Sequence, residues 1–308
     1  MRVFLTGASG FIGSFFLKNL IDYSGHEVCV LLRNPTNAWR IKDMMPNVKI
    51  IIGELDELIN IEAELKIFCP DAFVHLAWNG VSGGERNESS QWRNVSSTLE
   101  LIELANRLNV KNFIGLGSQA EYGPCQNKID ESCATKPTTM YGASKLAAQL
   151  LSEKLCGQYG LRYAWLRLFS SFGPEDNPDW LIPYLTRSLL TKKIPKLTAA
   201  EQLWDYIYVE DVAFALRAVL DSKDAEGVFN LGSGQAYKLR AVIEKIRDLI
   251  DPNLHLGFGE IAYRSDQVMY LQADISKISK ATGWMPKSDF DLALKKTVEW
   301  FSREGYEN

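Results

Sequence analysis

Tyr141 and Lys145 stand four residues apart in a stretch that reads as helix from about Thr139 to Tyr159, so their side chains share one helical face. A free tyrosine has a pKa of about 10, too high for ready proton release at neutral pH. A neighbouring ammonium favours the phenolate and lowers that value, so the pair can pass a proton to or from a substrate oxygen. Taken alone, Tyr-x-x-x-Lys fits a solvated helix face equally well. Ser118 follows the apolar run Phe113-Ile114-Gly115-Leu116, where a strand would end and a hydroxyl could hold an oxygen for the tyrosine. A second chemistry is written at the front of the chain, in Thr6-Gly7-Ala8-Ser9-Gly10-Phe11-Ile12-Gly13. These residues follow Val3-Phe4-Leu5 and open a periodic stretch carrying Phe15, Phe16, Leu20 and Ile21. Strand, glycine turn and helix in that order are the context of a dinucleotide fingerprint. Gly7 permits the tight turn, Gly10 lets backbone N–H groups approach a pyrophosphate, and Gly13 lets helix and strand pack closely. The helix N-terminus then favours the anion. A glycine turn serving only the fold is the competing explanation at this point.

The elements that must position these residues alternate along the first half of the chain. Short apolar, β-branched runs occur at Val28-Cys29-Val30-Leu31-Leu32, Val48-Lys49-Ile50-Ile51-Ile52, Phe73-Val74-His75-Leu76, Phe113 to Leu116 and Tyr163 to Leu168. Helical stretches separate them, the clearest being Thr98 to Leu108, with Leu99, Ile102, Ala105 and Leu108 on one face. The pattern predicts an α/β fold with a doubly wound parallel sheet covered on both faces. In such a sheet ligands bind beyond the carboxyl ends of the strands, which places the glycine turn and Ser118 at one edge. Past Ser170 the texture changes, with Pro174, Pro178, Pro183 and Pro195 breaking the pattern. The division predicted is a dinucleotide-binding domain over residues 1–169 and a smaller, mainly substrate-binding lobe over 170–308. Residues from about 205–234, with Val228 to Leu231 as the strand, are expected to join the first. Gly80 to Gln91 is polar and glycine-rich, either a solvated loop or a lid over a ligand.

Composition narrows the function classes. The chain has 308 residues, 46% of them hydrophobic, enough for a large core. A net charge of −4 without a basic run disfavours nucleic acid and anionic membranes as partners. The longest apolar runs fall short of the roughly 18 residues of a membrane span. Five scattered cysteines and three distant histidines lack metal-ligand spacing, so no metal is expected, and the thiols read as reduced in a cytoplasmic protein.

With these motifs in place, the chain resembles the extended short-chain dehydrogenase/reductase family, in particular its branch of nucleotide-sugar epimerases, dehydratases and reductases. The likeness rests on the glycine fingerprint, Ser118, Tyr141 and Lys145, and on His75-Leu76-Ala77 and Asn94. It extends through Asp205-Tyr206-Ile207-Tyr208-Val209, Asp211-Val212-Ala213, Asn230-Leu231-Gly232-Ser233-Gly234 and Asp274 through Gly283-Trp284. The resemblance implies a Rossmann core, bound NAD or NADP, a nucleotide diphospho-sugar substrate and a homodimer. It assigns Tyr141 as general acid or base, Lys145 as its tuner and a hold on the nicotinamide ribose, and Ser118 as the group orienting the sugar oxygen. Cofactor contacts are expected from Gly7, Ser9, Gly10, Phe11, Ile12, Gly13, Arg33, Glu54, Leu55, Leu76 and Ala77 as well. Substrate contacts are expected from Trp78, Ser82, Gln119, Ser170 and Arg264, the last on the diphosphate, where a bidentate guanidinium is suited.

Departures from the family pattern point to the reaction. Members that eliminate water from the hexose carry Asp-Glu directly after the catalytic hydroxyl; here Gln119 and Ala120 stand there. Glu121 replaces an apolar residue, as a salt-bridged structural carboxylate or a sugar contact. Trp204 replaces an arginine that touches phosphate, and Ser170 an asparagine near the sugar diphosphate. The second strand ends Leu31-Leu32-Arg33-Asn34, with no acid to accept from a ribose 2′-OH. Arg33 can instead hold a 2′-phosphate, or stack on the adenine with no preference. The expectation is therefore an NADPH-dependent reductase of a nucleotide-activated 4-keto-6-deoxy sugar. A 4-epimerase with tightly bound NAD is the alternative, and a non-catalytic NADP-binding regulator is the reading from outside enzymes.

Overall fold

A computed structural model describes residues 1–264 and 267–303. Seven parallel strands form its main sheet: β1 (Arg2–Thr6), β2 (Glu27–Leu32), β3 (Lys49–Ile52), β4 (Ala72–His75), β5 (Asn112–Ser118), β6 (Arg162–Leu168) and, from late in the chain, β9 (Gly227–Leu231). Their order is β3-β2-β1-β4-β5-β6-β9, the Rossmann arrangement with its reversal between β1 and β4. The strands are nearly continuous apolar runs because both faces are covered. One side packs against α1 (Phe11–Tyr23) and α6 (Val209–Asp221), the other against α2 (Glu62–Phe68), α3 (Trp92–Arg107) and α4 (Met140–Tyr159). The helix expected from Thr98 starts earlier, at Trp92, because the polar turn before it runs straight into the helical frame.

A second, four-stranded sheet joins β7 (Ser170–Phe172), β8 (Leu203–Tyr208), β10 (Ala236–Lys238) and β11 (Tyr270–Leu271). Of the 205–234 segment, only β9 joins the main sheet; β8 pairs with β7, β10 and β11 instead. With α5 (Leu181–Leu190), α7 (Leu239–Ile250) and α9 (Phe290–Arg303), this sheet buries an apolar cluster of its own that includes Phe172, Leu185, Ile243 and Leu294. The short α8 (Ser276–Thr282) packs beside β9 and α6.

Several motif residues of the C-terminal half serve as ties between segments. The buried Asp205 carboxylate accepts from the backbone N–H of Ser233, Gly234 and Ala273 at 2.8–3.0 Å. Asp211 accepts from the N–H groups of Lys287 and Ser288. Asn230 donates to the Ile129 carbonyl and accepts from the Tyr122 hydroxyl at 2.7 Å. Each satisfies buried polar backbone or side-chain groups that would otherwise be costly to desolvate.

Candidate functional site

A cleft of about 1920 Å³ opens along the carboxyl edge of the main sheet and continues between it and the second sheet. Every residue expected to contact cofactor or substrate borders it, from Gly7, Gly10 and Gly13 at one end through Ser118, Tyr141 and Lys145 to Ser170 and Arg264 at the other.

The glycine turn is built for a bound backbone-hugging group. Gly7 has φ +79°, and a Cβ there would lie 2.5 Å from the Ala77 nitrogen. A Cβ on Gly13 would collide with the Gly7 carbonyl, so α1 can approach β1 only with glycine at that place. The Gly7 carbonyl accepts from Gly10 N–H at 3.0 Å, and the α1 N-cap is Gly10 itself, with no side chain over the first turn. Free N–H groups at a thirteen-residue helix therefore face the cleft. These features fit the pyrophosphate of a dinucleotide. Arg33 lies exposed at the end of β2, and Glu54 and Leu55 follow β3, all at the cleft's rim. Beneath the turn, His75 is buried with Nδ1 at 2.8 Å from the Thr6 hydroxyl and Nε2 at 3.1 Å from that of Thr98. Burial, aided by the Lys145 charge, pushes its pKa down to about 3, so it is a neutral structural imidazole.

Helix α4 brings Tyr141 and Lys145 to the middle of the cleft. Its N-cap is Thr139, whose hydroxyl accepts from Gly142 N–H at 3.0 Å. A Cβ on Gly142 would strike the Ala120 carbonyl, so glycine lets the helix press against the turn after β5. Ser118 is the N-cap of that turn, accepting from Ala120 N–H at 3.2 Å, and borders the cleft with Tyr141. Tyr141 is 8% exposed, and burial raises its pKa. The Arg86 charge and then the Ser118 hydroxyl act in the opposite sense, while Glu121 adds to the rise. Lys145 is buried too, its Nζ donating to the Leu116 carbonyl at 2.6 Å and lying 3.7 Å from the Trp78 ring centre. Burial drives its ammonium well below the usual lysine range, with Glu121 opposing.

Glu121 is the salt-bridged carboxylate of the two readings offered for it. Fully buried, it accepts from Ser118 N–H at 2.8 Å, from Trp165 Nε1 at 3.0 Å and from Arg167 Nε at 2.7 Å. Gly117 leaves the room for this, since a Cβ there would meet both Trp165 Nε1 and Glu121 Oε1. The carboxylate thus sits under the turn that presents Ser118. Two of the family departures also meet: Trp204 Nε1 donates to the Ser170 hydroxyl at 2.6 Å.

Two residues that the sequence reading did not single out enter the site. Arg86, from the 83–87 turn, lies with its guanidinium carbon 4.2 Å from the Tyr141 ring centre. Asp176, 4% exposed, borders the cleft beyond β7. Neither stands in a motif; an arginine in Gly83-Gly84-Glu85-Arg86 looks like any solvated loop charge. Among the described residues there is no group of three or more His, Cys, Asp or Glu that could hold a metal ion, and no helix long and apolar enough to cross a membrane.

Fold and cleft together define a Rossmann enzyme of the extended short-chain dehydrogenase/reductase type. More particularly, residues 3–232 match the model of the NAD dependent epimerase/dehydratase family, and the chain belongs to it. It is 27% identical to dTDP-glucose 4,6-dehydratase 1 of Escherichia coli over 98% of its own length and 92% of that protein's. It is 28% identical to the low-salt glycan biosynthesis protein Agl12 of Haloferax volcanii, over 98% of both. Among solved structures, a UDP-N-acetylglucosamine 4-epimerase from Methanobrevibacter ruminantium, in complex with UDP-N-acetylmuramic acid, superposes with a TM-score of 0.88 at 28% identity, over 98% of both chains. MoeE5 in complex with UDP-glucuronic acid and NAD superposes with a TM-score of 0.87 at 26% identity, covering 99% of this chain and 100% of that one.

Proposed function

We propose that this enzyme reduces the C4 carbonyl of a nucleotide-activated 4-keto-6-deoxy sugar with NADPH. The observation that carries the reading is the Ser118–Tyr141–Lys145 cluster standing next to Gln119 and Ala120, where family members that eliminate water hold two acids. Gly7, Gly10, Gly13 and the α1 N-terminus would hold the pyrophosphate, Lys145 the nicotinamide ribose, and Glu54, Leu55, Leu76 and Ala77 the remaining cofactor edges. When bound, the dinucleotide supplies the hydride. Ser118 orients the sugar oxygen, and Tyr141 gives its phenolic proton to the oxygen that gains negative charge. Such a positioned general acid is worth about 10²–10⁴ in rate. Trp78, Ser82, Gln119, Ser170 and Arg264 border the remaining space and would contact the sugar nucleotide, with Arg264 on the diphosphate. Arg33 supports NADP, because a guanidinium at the end of β2 complements a 2′-phosphate and no acid stands there to repel it.

The alternative is a nucleotide-sugar 4-epimerase with tightly held NAD; the likeness to the Methanobrevibacter 4-epimerase favours it. Incubating the protein with a panel of nucleotide 4-keto sugars while following NADPH absorbance separates the two. One NADPH oxidised per sugar is expected. Conversion of a fully reduced nucleotide hexose to its epimer without added cofactor would overturn the reductase reading. A homodimer and a cytoplasmic location belong to the same proposal. An apolar groove between α3 and α4, lined by Trp92, Val95, Leu99, Ala143 and Ala147, supports the dimer.

A further inference from the structure

The segment between β4 and α3 is tied by two side-chain amides: Asn94 accepts from Asn79 N–H at 2.9 Å and donates to its carbonyl at 3.1 Å, and the buried Gln91 holds the rest. Gln91 is 1% exposed. Its Oε1 accepts from Trp78 Nε1 at 2.9 Å, and its Nε2 donates to the carbonyls of Gly80 at 2.6 Å and Glu85 at 3.1 Å. Gly80 has φ +73°, and a Cβ there would press on that same amide nitrogen. Two residues beyond Glu85, the Asn87 side chain accepts from the N–H of Met140, the first residue of α4. Arg86 is therefore bracketed: Glu85 before it is tied to Gln91, and Asn87 after it is tied to the helix that carries Tyr141. A solvated loop would need none of this, and an arginine with a free choice of rotamers would not be delivered face-on to a buried ring.

We propose that Arg86 is a further member of the proton-transfer site: its guanidinium, held over the Tyr141 ring, stabilises the phenolate that forms when Tyr141 gives its proton to the substrate oxygen. The inference rests on the reading of Tyr141 as proton donor. In that step the Tyr141 O–H bond breaks, the proton moves to the sugar alkoxide, and the negative charge left on the phenol lies beside Arg86. Opposite charge within about 4–6 Å moves a phenol or carboxyl pKa by about 1–3 units. The groups facing Tyr141 are few. Ser118 and Glu121 approach from the turn after β5, Trp78 from the end of β4, Lys145 from α4 itself with Nζ 5.9 Å from the ring centre, and Arg86 from the bracketed turn. Lys145 is nearer to the Trp78 ring than to the tyrosine and is driven toward neutrality by burial. Arg86 is not: burial and Arg264 lower its pKa, but a guanidinium starts above about 12 and stays charged. Arg86 thus adds to the Tyr-x-x-x-Lys pair a cation that stays charged at neutral pH and lies nearer the Tyr141 ring than the Lys145 amine does.

Arg86→Met removes the charge and keeps the stem, and Arg86→Lys restores a cation. The first measurement is a titration of the NADP⁺-bound protein carrying ¹³Cζ-labelled tyrosine, with the Tyr141 signal assigned by its loss in Tyr141→Phe. The Tyr141 signal should titrate about one unit or more higher in Arg86→Met than in wild type, with Arg86→Lys between them. The second is the pH–rate profile of sugar-alcohol oxidation, where Tyr141 must start deprotonated. Its acidic limb should move upward by the same amount in Arg86→Met, with NADP⁺ affinity unchanged within about twofold. A Tyr141 titration that coincides in wild type and Arg86→Met overturns the proposal. A wild-type enzyme inert toward every nucleotide sugar counts against the functional reading, and the NMR comparison then decides the Arg86 contact alone.

Discussion

At the scale of single residues, the site separates holding a proton from moving one. Burial opposes the ionisation of Tyr141 while Arg86 and Ser118 favour it, so on the proposed reading its proton is retained until charge appears on a nearby oxygen. Ser118 is fixed from two directions, by the Ala120 N–H on its hydroxyl and the Glu121 carboxylate on its own N–H. Tyr141→Phe is expected to leave NADPH binding within about twofold while lowering turnover by about 10²–10⁴, the usual contribution of a positioned acid. Lys145→Ala should weaken both cofactor binding and turnover, because the amine is proposed to serve ribose and phenol alike. Fluorescence titration of NADPH beside steady-state rates separates the two patterns. Most of the wild-type rate surviving in Tyr141→Phe would remove the tyrosine from the chemistry.

At the scale of elements, β5, α4 and the turn between them behave as one part. Glu121 belongs to that turn, Arg167 to β6, and Ser118 to the end of β5, and the ion pair beneath them is almost wholly shielded from water. Removing one partner of such a pair leaves a buried charge uncompensated, at a cost of about 3–5 kcal/mol, whereas replacing both by apolar side chains is often close to neutral. Glu121→Gln should therefore lower the denaturant midpoint strongly, and adding Arg167→Met, which removes the unpaired charge while the amide oxygen still accepts from Ser118 N–H and Trp165 Nε1, should recover part of the loss. A single variant as stable as wild type would show that the pair carries no such strain. The elements themselves were legible in the sequence because their physics is local. Strands buried on both faces read as unbroken apolar runs, and the glycine spacing in residues 7–13 admits few alternatives. The Tyr141/Lys145 helix was also legible, its N-cap at Thr139 lying where the pattern began. What escaped was long-range. The side chains of Gln91 and Asn94 tie down residues 78–85, and nothing in a polar glycine-rich stretch says which of its residues will be buried. Arg86 and Asp176 are charged residues in loops, and only the tertiary fold turns them inward. The pairing of Trp204 with Ser170 shows the same limit. Two departures from a family pattern, thirty-four positions apart, become one contact only after β7 and β8 have paired.

At the scale of the whole molecule, the cleft lies between the seven-stranded sheet and a second sheet with its own apolar cluster, and the proposed reading divides selectivity between the two walls. On the first wall, Arg33→Ala should remove the preference for NADP(H) over NAD(H). A charge-assisted hydrogen bond is worth about 1.5–3 kcal/mol, or about ten- to a hundredfold, and paired titrations of both cofactors measure it; equal affinities in wild type would refute the role given to Arg33. Across the cleft, Asp176 marks where the walls meet. Arg40, from the 3-10 segment after β2, donates twice to the Glu175 carbonyl, and Asp176 accepts from Asn177 N–H at 2.7 Å. Burial raises the Asp176 pKa from 3.8 to about 7, opposed by the Asn177 N–H and the Arg40 charge. Below about pH 4 this carboxyl is protonated in the folded and unfolded chain alike. Between about 4 and 7 the unfolded chain ionises while the folded one keeps its proton, so the folded state binds more protons and stability falls as pH rises. His75 works the other way: its folded pKa of about 3 lies below the ordinary histidine value of 6.5, so its contribution rises with pH over that interval. Comparing wild type with Asp176→Asn cancels His75, which both proteins share. The amide keeps the shape and the acceptor oxygen but cannot ionise. The variant should match wild type near pH 4 and become progressively more stable than it toward pH 8, by up to about 4 kcal/mol for a shift of this size. Urea unfolding of the two proteins at intervals from pH 4 to pH 8 gives the difference directly. A difference that stays flat across that range would mean that Asp176 ionises in the folded protein as it does in water, and that the joint between the two sheets carries no buried acid.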